Sequence, residues 1–280
     1  MVYIFTATYY EASAWIAHFH LKKDTENFRF QTFSNEDAGI CLTITGVGMV
    51  PAAVAVSSIC TAFVPGQGDF LINAGICAAV GAKKEVVGNL FLCNKITEFT
   101  TGKTFYPDVL YRHAFDEAEL VTGAKPFEKG ACEPEHFFLY DMEAAAVYQA
   151  GSYFFAPHQM IFFKIVSDNG DAGSVTPEQV KRLIDLHIDA LADYVQHLLA
   201  IAQEEEEKEP VPEAAIEKLC QDMYCSVSMK ASLQQHIRYC ALAGIDYEDR
   251  IGKMYRENWL PCRNKREGKR CFEELKRQLL

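Results

Sequence analysis

The run Met160-Ile161-Phe162-Phe163-Lys164-Ile165-Val166 stops at Ser167-Asp168-Asn169-Gly170-Asp171-Ala172-Gly173. A nearly continuous apolar stretch closed by a polar, glycine-containing loop reads as a strand buried on both faces. Strands of that kind belong to α/β sheets covered by helices. Open α/β sheets place their ligand chemistry beyond the carboxyl ends of such strands, and Asp168 falls at that end.

A second stretch lies about twenty residues earlier. Aromatic and apolar residues run into Asp141, and Met142-Glu143-Ala144-Ala145-Ala146-Val147-Tyr148 follows with strong helix propensity. Asp141 is expected in the first helical turn, where the backbone dipole and unpaired N–H groups favour negative charge. Alone, it reads as an acid that stabilises its own helix. In this order and spacing, however, DMEAAAVY and KIVSDNGD resemble the nucleoside phosphorylase and nucleosidase superfamily, most closely the methylthioadenosine/S-adenosylhomocysteine nucleosidases. The resemblance spans about residues 1–203. It implies a three-layer α/β/α sandwich around a twisted mixed sheet, of the purine and uridine phosphorylase type.

Further segments take their place in that frame. Residues 2–6 read as a first strand, with a helix starting near Tyr9-Tyr10-Glu11. Glu11 reads either as a first-turn acid or, by the resemblance, as the base that activates water. Residues 40–45 alternate like a strand, and Gly46-Val47-Gly48-Met49 opens a helix. A glycine loop there is most often a tight turn, but it can bring backbone N–H groups against a ligand. It resembles the family's G-I-G-K-V-x-A-A, with Met49 replacing the lysine. Residues 70–75 form another buried strand ending at Gly75, and a turn is expected at Ile76-Cys77-Ala78, where the family carries glycine and serine. Cys77 reads as a small buried hydrophobe rather than a nucleophile. Residues 88–97 and 119–123 read as strands with a loop at 102–108. Lys125-Pro126-Phe127 matches the segment that offers an aromatic face to the purine, which makes Phe127 the candidate.

Thr176-Pro177-Glu178 carries the cap, proline and acid of a helix start, and helical periodicity continues to Leu199. The acidic, proline-closed segment 204–212 is expected to be a linker. Residues 213–280 read as three or four short helices broken near Gly244 and at Pro261, outside the resemblance. Cys220, Cys225, Cys240, Cys262 and Cys271 cluster there without the close-paired spacing of a structural zinc site, so no metal is expected. Arg263, Lys265, Arg266, Lys269 and Arg270 form a basic cluster.

Charge divides along the same line. From residue 250 onward ten Lys and Arg stand against four Glu, a net of +6, which leaves −17 of the overall −11 on residues 1–249. So acidic a surface makes nucleic acid an unlikely partner. No basic leader opens the chain and no apolar run reaches membrane-spanning length. Ten scattered cysteines suit a reducing cytoplasm better than a disulfide framework.

The resemblance implies hydrolysis of the N-glycosidic bond of a purine nucleoside, without a cofactor, by a homodimer or higher oligomer. Asp168 would hand a proton to the leaving purine, oriented by Ser167. Glu143 would hold the ribose 2′-hydroxyl, Met142 would pack on the sugar, and Glu11 would deprotonate water. Gly75 and Val47 would border the substrate. Phosphorolysis is the alternative within the fold. It needs arginines to grip phosphate, and neither the Glu11 turn nor the strand through Asn73 offers one. A nucleoside-binding module working through its C-terminal domain is the alternative of another class.

Overall fold

The first strand, β1 (Val2–Thr6), divides its side chains between two cores: Val2 and Ile4 enter one, Tyr3 and Phe5 the other. That period of two, repeated along the central strands, makes a sheet buried on both faces. The computed structural model describes residues 1–25, 29–82, 85–128, 130, 136–207, 213–242 and 245–279. Contacts divide the chain into two units, Met1–Gln203 and Glu204–Leu280.

In the first unit β1 leads to α1 (Tyr9–His18), β2 (Lys22–Asp24), β3 (Gln31–Asn35), β4 (Ile40–Ile44), α2 (Met49–Phe63) and β5 (Phe70–Val80). Next come β6 (Leu90–Glu98), β7 (Thr104–Phe105), β8 (Asp116–Thr122), β9 (Phe138–Asp141), α3 (Ala144–Gly151), β10 (Met160–Asp168) and α4 (Pro177–Glu207). The ten strands form one mixed sheet ordered β10-β6-β8-β9-β5-β1-β4-β3-β2, with β7 on β6. Because β10 also pairs with β5, the strands β5, β10, β6, β8 and β9 close into a ring. Helices α1 and α4 cover one face through Trp15, Ile184 and Val195. Helices α2 and α3 cover the other through Val56, Ile59, Ala145 and Val147. The result is the three-layer α/β/α arrangement.

Strand β5 positions everything that follows. It pairs with β1 from Phe70 to Asn73 and with β9 from Ala78 to Val80. Ala78 has Asp168 of β10 opposite it as well, so β1 and β9 lie along the same edge of β5. Between residues 73 and 78 that edge has no neighbouring strand, and backbone groups there must find other partners.

Three expectations are corrected. The turn expected at Ile76-Cys77-Ala78 lies in the second half of β5, where each of the three residues pairs with β10. Asp141 ends β9 instead of sitting in a helical turn; Glu143 is the N-cap and α3 begins at Ala144. Helix α4 continues through Glu207, so the first four glutamates of the expected linker are helical. Residues 208–212 and Gly244 lie outside the described residues.

The second unit contains α5 (Glu213–Asp222), α6 (Val227–Leu242), α7 (Tyr247–Arg256) and α8 (Lys265–Leu279). They share a core around Met223, Leu233, Ile237, Met254, Cys271 and Leu275. The apolar face of α8 is buried there, while Arg263, Lys265, Arg266, Lys269 and Arg270 stay exposed. Gly268 sits where the helix presses on the main chain: a Cβ there would come within 1.8 Å of the Met223 carbonyl oxygen. Main chain cannot swing aside as a side chain can. Gly268→Ala is therefore expected to destabilise the helical unit by about 2 kcal/mol or more. Trp15 and Trp259 report one unit each, so urea unfolding followed by fluorescence should show the Trp259 transition moving to lower urea and the Trp15 transition holding.

Candidate active site

Thr8, just past β1, caps α1: its hydroxyl accepts from the Glu11 N–H, and the Glu11 carboxylate reaches back to Thr8. Glu11 Oε2 accepts from Thr8 N at 2.7 Å and Thr8 Oγ1 at 3.0 Å, the reciprocal arrangement of a capping box. Its other oxygen, Oε1, accepts from Ile76 N at 3.0 Å. That N–H belongs to the unpaired edge of β5, so Glu11 stands where a neighbouring strand's carbonyl would be. Gly75 makes the approach possible, since a Cβ there would lie 2.6 Å from Oε1. Glu11 is buried.

A second buried carboxylate comes from the start of α3. Glu143 Oε1 accepts from Gly48 N at 2.7 Å, at the N-cap of α2. Burial, and then the neighbouring charge of Asp141, push its carboxyl up to about 7, against the opposing pull of Lys164 and the Gly48 N–H; Glu11 pushes the same way as Asp141. Met142 beside it is half-buried, and Val47 in the glycine loop is exposed.

Lys164, the one buried Lys or Arg among the described residues, lies opposite Gly75 in the β5–β10 register. Its Nζ is 2.8 Å from Asp141 Oδ2. Burial alone would lower its pKa, but Asp141 first and Glu143 next outweigh that, and the ammonium is held well above its ordinary value. Asp141 also accepts from Thr122 Oγ1 at 2.6 Å and from Ala144 N at 2.9 Å, and Thr122 Oγ1 accepts from Ala145 N at 3.0 Å.

Asp168 ends β10. Its Oδ1 accepts from Gly170 N at 2.8 Å and Asp171 N at 2.9 Å. Ser167 Oγ lies 2.8 Å from Asp168 Oδ2 and 3.1 Å from the Cys77 carbonyl oxygen. Ser167, Asp168 and Phe127 line an open cavity of about 920 Å³, together with Val87, Pro126 and Glu128. The Phe127 ring packs on Tyr140 at 5.3 Å between centroids. Burial raises the Cys77 thiol well above its ordinary range, which leaves no thiolate for nucleophilic attack.

The structure thus gathers the sequence candidates in two groups joined by consecutive residues of β5. Ile76 holds Glu11, with Gly75 and Glu143 on that side; Cys77 holds Ser167, with Asp168 and Phe127 on the other. Sequence reasoning missed Thr8, Thr122 and above all Lys164, although a lone lysine inside an apolar strand is itself a signal. Among the described residues no group of three or more His, Cys, Asp or Glu is disposed to hold a metal ion. Among the described residues no helix is long and apolar enough to cross a membrane.

No protein-family model matches the chain, and no curated protein matches it in sequence. Solved structures do match. A methylthioadenosine/S-adenosylhomocysteine nucleosidase from Helicobacter pylori, with butyl-thio-DADMe-Immucillin-A, aligns with a TM-score of 0.59 at 14% identity, over 70% of this chain and 97% of that one. The corresponding nucleosidase of S. pneumoniae, with the transition-state inhibitor MT-ImmA, gives 0.57 at 18% identity over 71% and 99%. Futalosine hydrolase of Helicobacter pylori gives 0.56 at 14% identity over 70% and 97%. At such identities the likeness is one of architecture: the chain has the fold of these nucleosidases and of futalosine hydrolase.

Proposed function

We propose that the protein is a nucleosidase that hydrolyses the N-glycosidic bond of a purine nucleoside, of the methylthioadenosine or S-adenosylhomocysteine kind. One observation carries the reading. Two buried carboxylates, Glu11 and Glu143, stand within reach of each other's charge at the open edge of β5, and the one buried cation nearby is already paired with Asp141. Breaking an N-glycosidic bond builds positive charge on the ribose, which such a site stabilises more in the transition state than in the ground state. The same excess of negative charge repels phosphate, and among the described residues no arginine is buried beside it to grip one. Inhibitor-bound nucleosidases among the structural neighbours support the substrate class.

The roles follow from position. Glu11, fixed by three donors, takes the proton from water. Glu143 accepts from the ribose 2′-hydroxyl, Met142 packs on the sugar, and Val47 and Gly75 border it. Phe127 offers the purine an aromatic face. Asp168 hands its proton to the five-membered-ring nitrogen. Ser167 has one hydrogen and two acceptors within reach. When that hydrogen goes to the Cys77 carbonyl, a proton on Asp168 Oδ2 completes the second contact, so Ser167 orients the acid in its protonated form. The first unit carries this chemistry, and the helical unit is an appended domain.

A second copy of the chain is the proposed macromolecular partner. Helix α2 contains no charged residue, and Val50 and Val54, one turn apart, are exposed along it. Such an apolar pair on an otherwise acidic surface fits a self-complementary interface.

Three outcomes are expected. Incubation with a panel of purine nucleosides should release free base without phosphate; base that appears only with phosphate, accompanied by ribose 1-phosphate, would make the protein a phosphorylase. Asp168→Asn should bind nucleoside yet lose about a hundredfold or more in turnover, and a near-normal rate would move the acid elsewhere, first to Asp171. Light scattering coupled to size exclusion should give a dimer or larger, and Val50→Asp with Val54→Asp should give a monomer. A wild-type monomer at all concentrations contradicts the interface.

A further inference from the structure

Lys164 occupies a place where an apolar residue fits. Phe162 and Val166, on the same face of β10, both enter the core under α2 and α3. A buried ion pair seldom stabilises a fold more than well-packed apolar side chains do, because both charges lose their water. The side chains of Lys164 and Asp141 are 2% and 0% exposed. Their pairing therefore calls for a reason beyond packing.

Asp141 supplies it. Its Oδ2 accepts from Ala144 N as well as from Lys164, and its Oδ1 accepts from Thr122 Oγ1, which in turn accepts from Ala145 N. The first two N–H groups of α3 are thereby tied to the middle of β10. Glu143 immediately precedes them as the N-cap, and its carbonyl accepts from Ala146 N and Val147 N. Where the first turn is held, Glu143 is held. We infer that Lys164 is a positioning residue: through Asp141 it fixes the start of α3 and poises the Glu143 carboxylate toward the sugar. The consequence for catalysis rests on the nucleosidase reading, whereas the link from Lys164 to Glu143 does not.

The charges facing Glu143 come from four elements: Asp141 ending β9, Lys164 in β10, Glu11 in α1 and the Gly48 N–H at α2. Removing the cation leaves carboxylates facing one another in a dry site, so Glu143 keeps its proton to higher pH. Removing the charge of Asp141 makes Glu143 the counter-ion of a buried lysine, so it loses its proton at lower pH. A lysine that only filled space would leave the midpoint unmoved when its charge is removed.

Infrared difference spectra of the Glu143 carboxyl, taken against pH on the ligand-free full chain and assigned with Glu143→Gln, test this directly. The wild-type midpoint should lie near 7. Lys164→Gln should raise it by about one pH unit or more, and Asp141→Asn should lower it comparably. Lys164→Arg, which keeps the charge, should bring it back toward the wild-type value. The sign for function follows: Glu143 accepts from the sugar when ionised, so affinity for 5′-methylthioadenosine should rise with pH through the midpoint. At pH 7 the ionised fraction in Lys164→Gln falls from about half to about a tenth, and KM should rise about fivefold. A Lys164→Gln midpoint equal to wild type, or an Asp141→Asn midpoint that rises, overturns the inference. Should Lys164→Gln fail to fold alone, Lys164→Gln in the Asp141→Asn background decides, with a midpoint expected above that of Asp141→Asn alone. Midpoints that move as expected while KM ignores them uphold the link and sink only the reading of Glu143 as sugar ligand.

Discussion

The organising constraint is a backbone deficit. Strand β5 has β10 along one edge from Leu71 to Ala78, but on its other edge β1 stops at Asn73 and β9 begins at Ala78. An amide N–H buried in that gap without a partner costs roughly 1–3 kcal/mol. The fold satisfies it with a side chain: Glu11 of α1 takes the Ile76 N–H. A carboxylate is thereby placed inside the sheet instead of at its surface, and the missing side chain of Gly75 leaves it room.

From that point charge determines the rest. Glu11, Glu143 and Asp141 bring three acids to the α2/α3 face at the ends of their elements, with Lys164 as the one buried cation among the described residues. Three acids and one lysine cannot all be ionised comfortably in a site of low dielectric, and the strain settles on Glu143, whose carboxyl rises to about 7. A carboxyl poised there changes charge within the physiological range. It therefore gains most when a cationic centre forms beside it. The helix N-termini are part of the same balance, since Gly48 N of α2 and Ala144 N of α3 each donate to one of the acids.

How much of this was legible in the sequence depended on how local its cause was. The apolar run of β10, the cap and proline that open α4, and the glycine loop before α2 carry their own signals, and each became the expected element. The length of β5 did not, because Ile76-Cys77-Ala78 is extended by pairing with residues nearly ninety positions away and its own composition is silent on that. Asp141 was placed one element too late for a related reason. Its identity suits a helix start, and only the pairing of β9 with β5 and β8 reveals a strand end. Strands β2 and β3, short and polar, gave no periodic signal. Lys164 was visible as a letter but not as a role, because its partner Asp141 meets it only in the folded sheet.

Glu11 shows why a local reading and a functional one need not compete. As a capping-box acid it satisfies the Thr8 N–H and hydroxyl, and it complements the dipole of its own helix. Those contacts alone would suit a surface glutamate. They also restrict the side chain: with Oε2 held by Thr8, Oε1 turns toward β5, where Ile76 N holds it in turn. An acid held at both oxygens by neutral donors meets a reacting group without first having to reorganise, which is the property a general base in a dry site needs. The cap is thus the means by which this fold orients the Glu11 carboxylate.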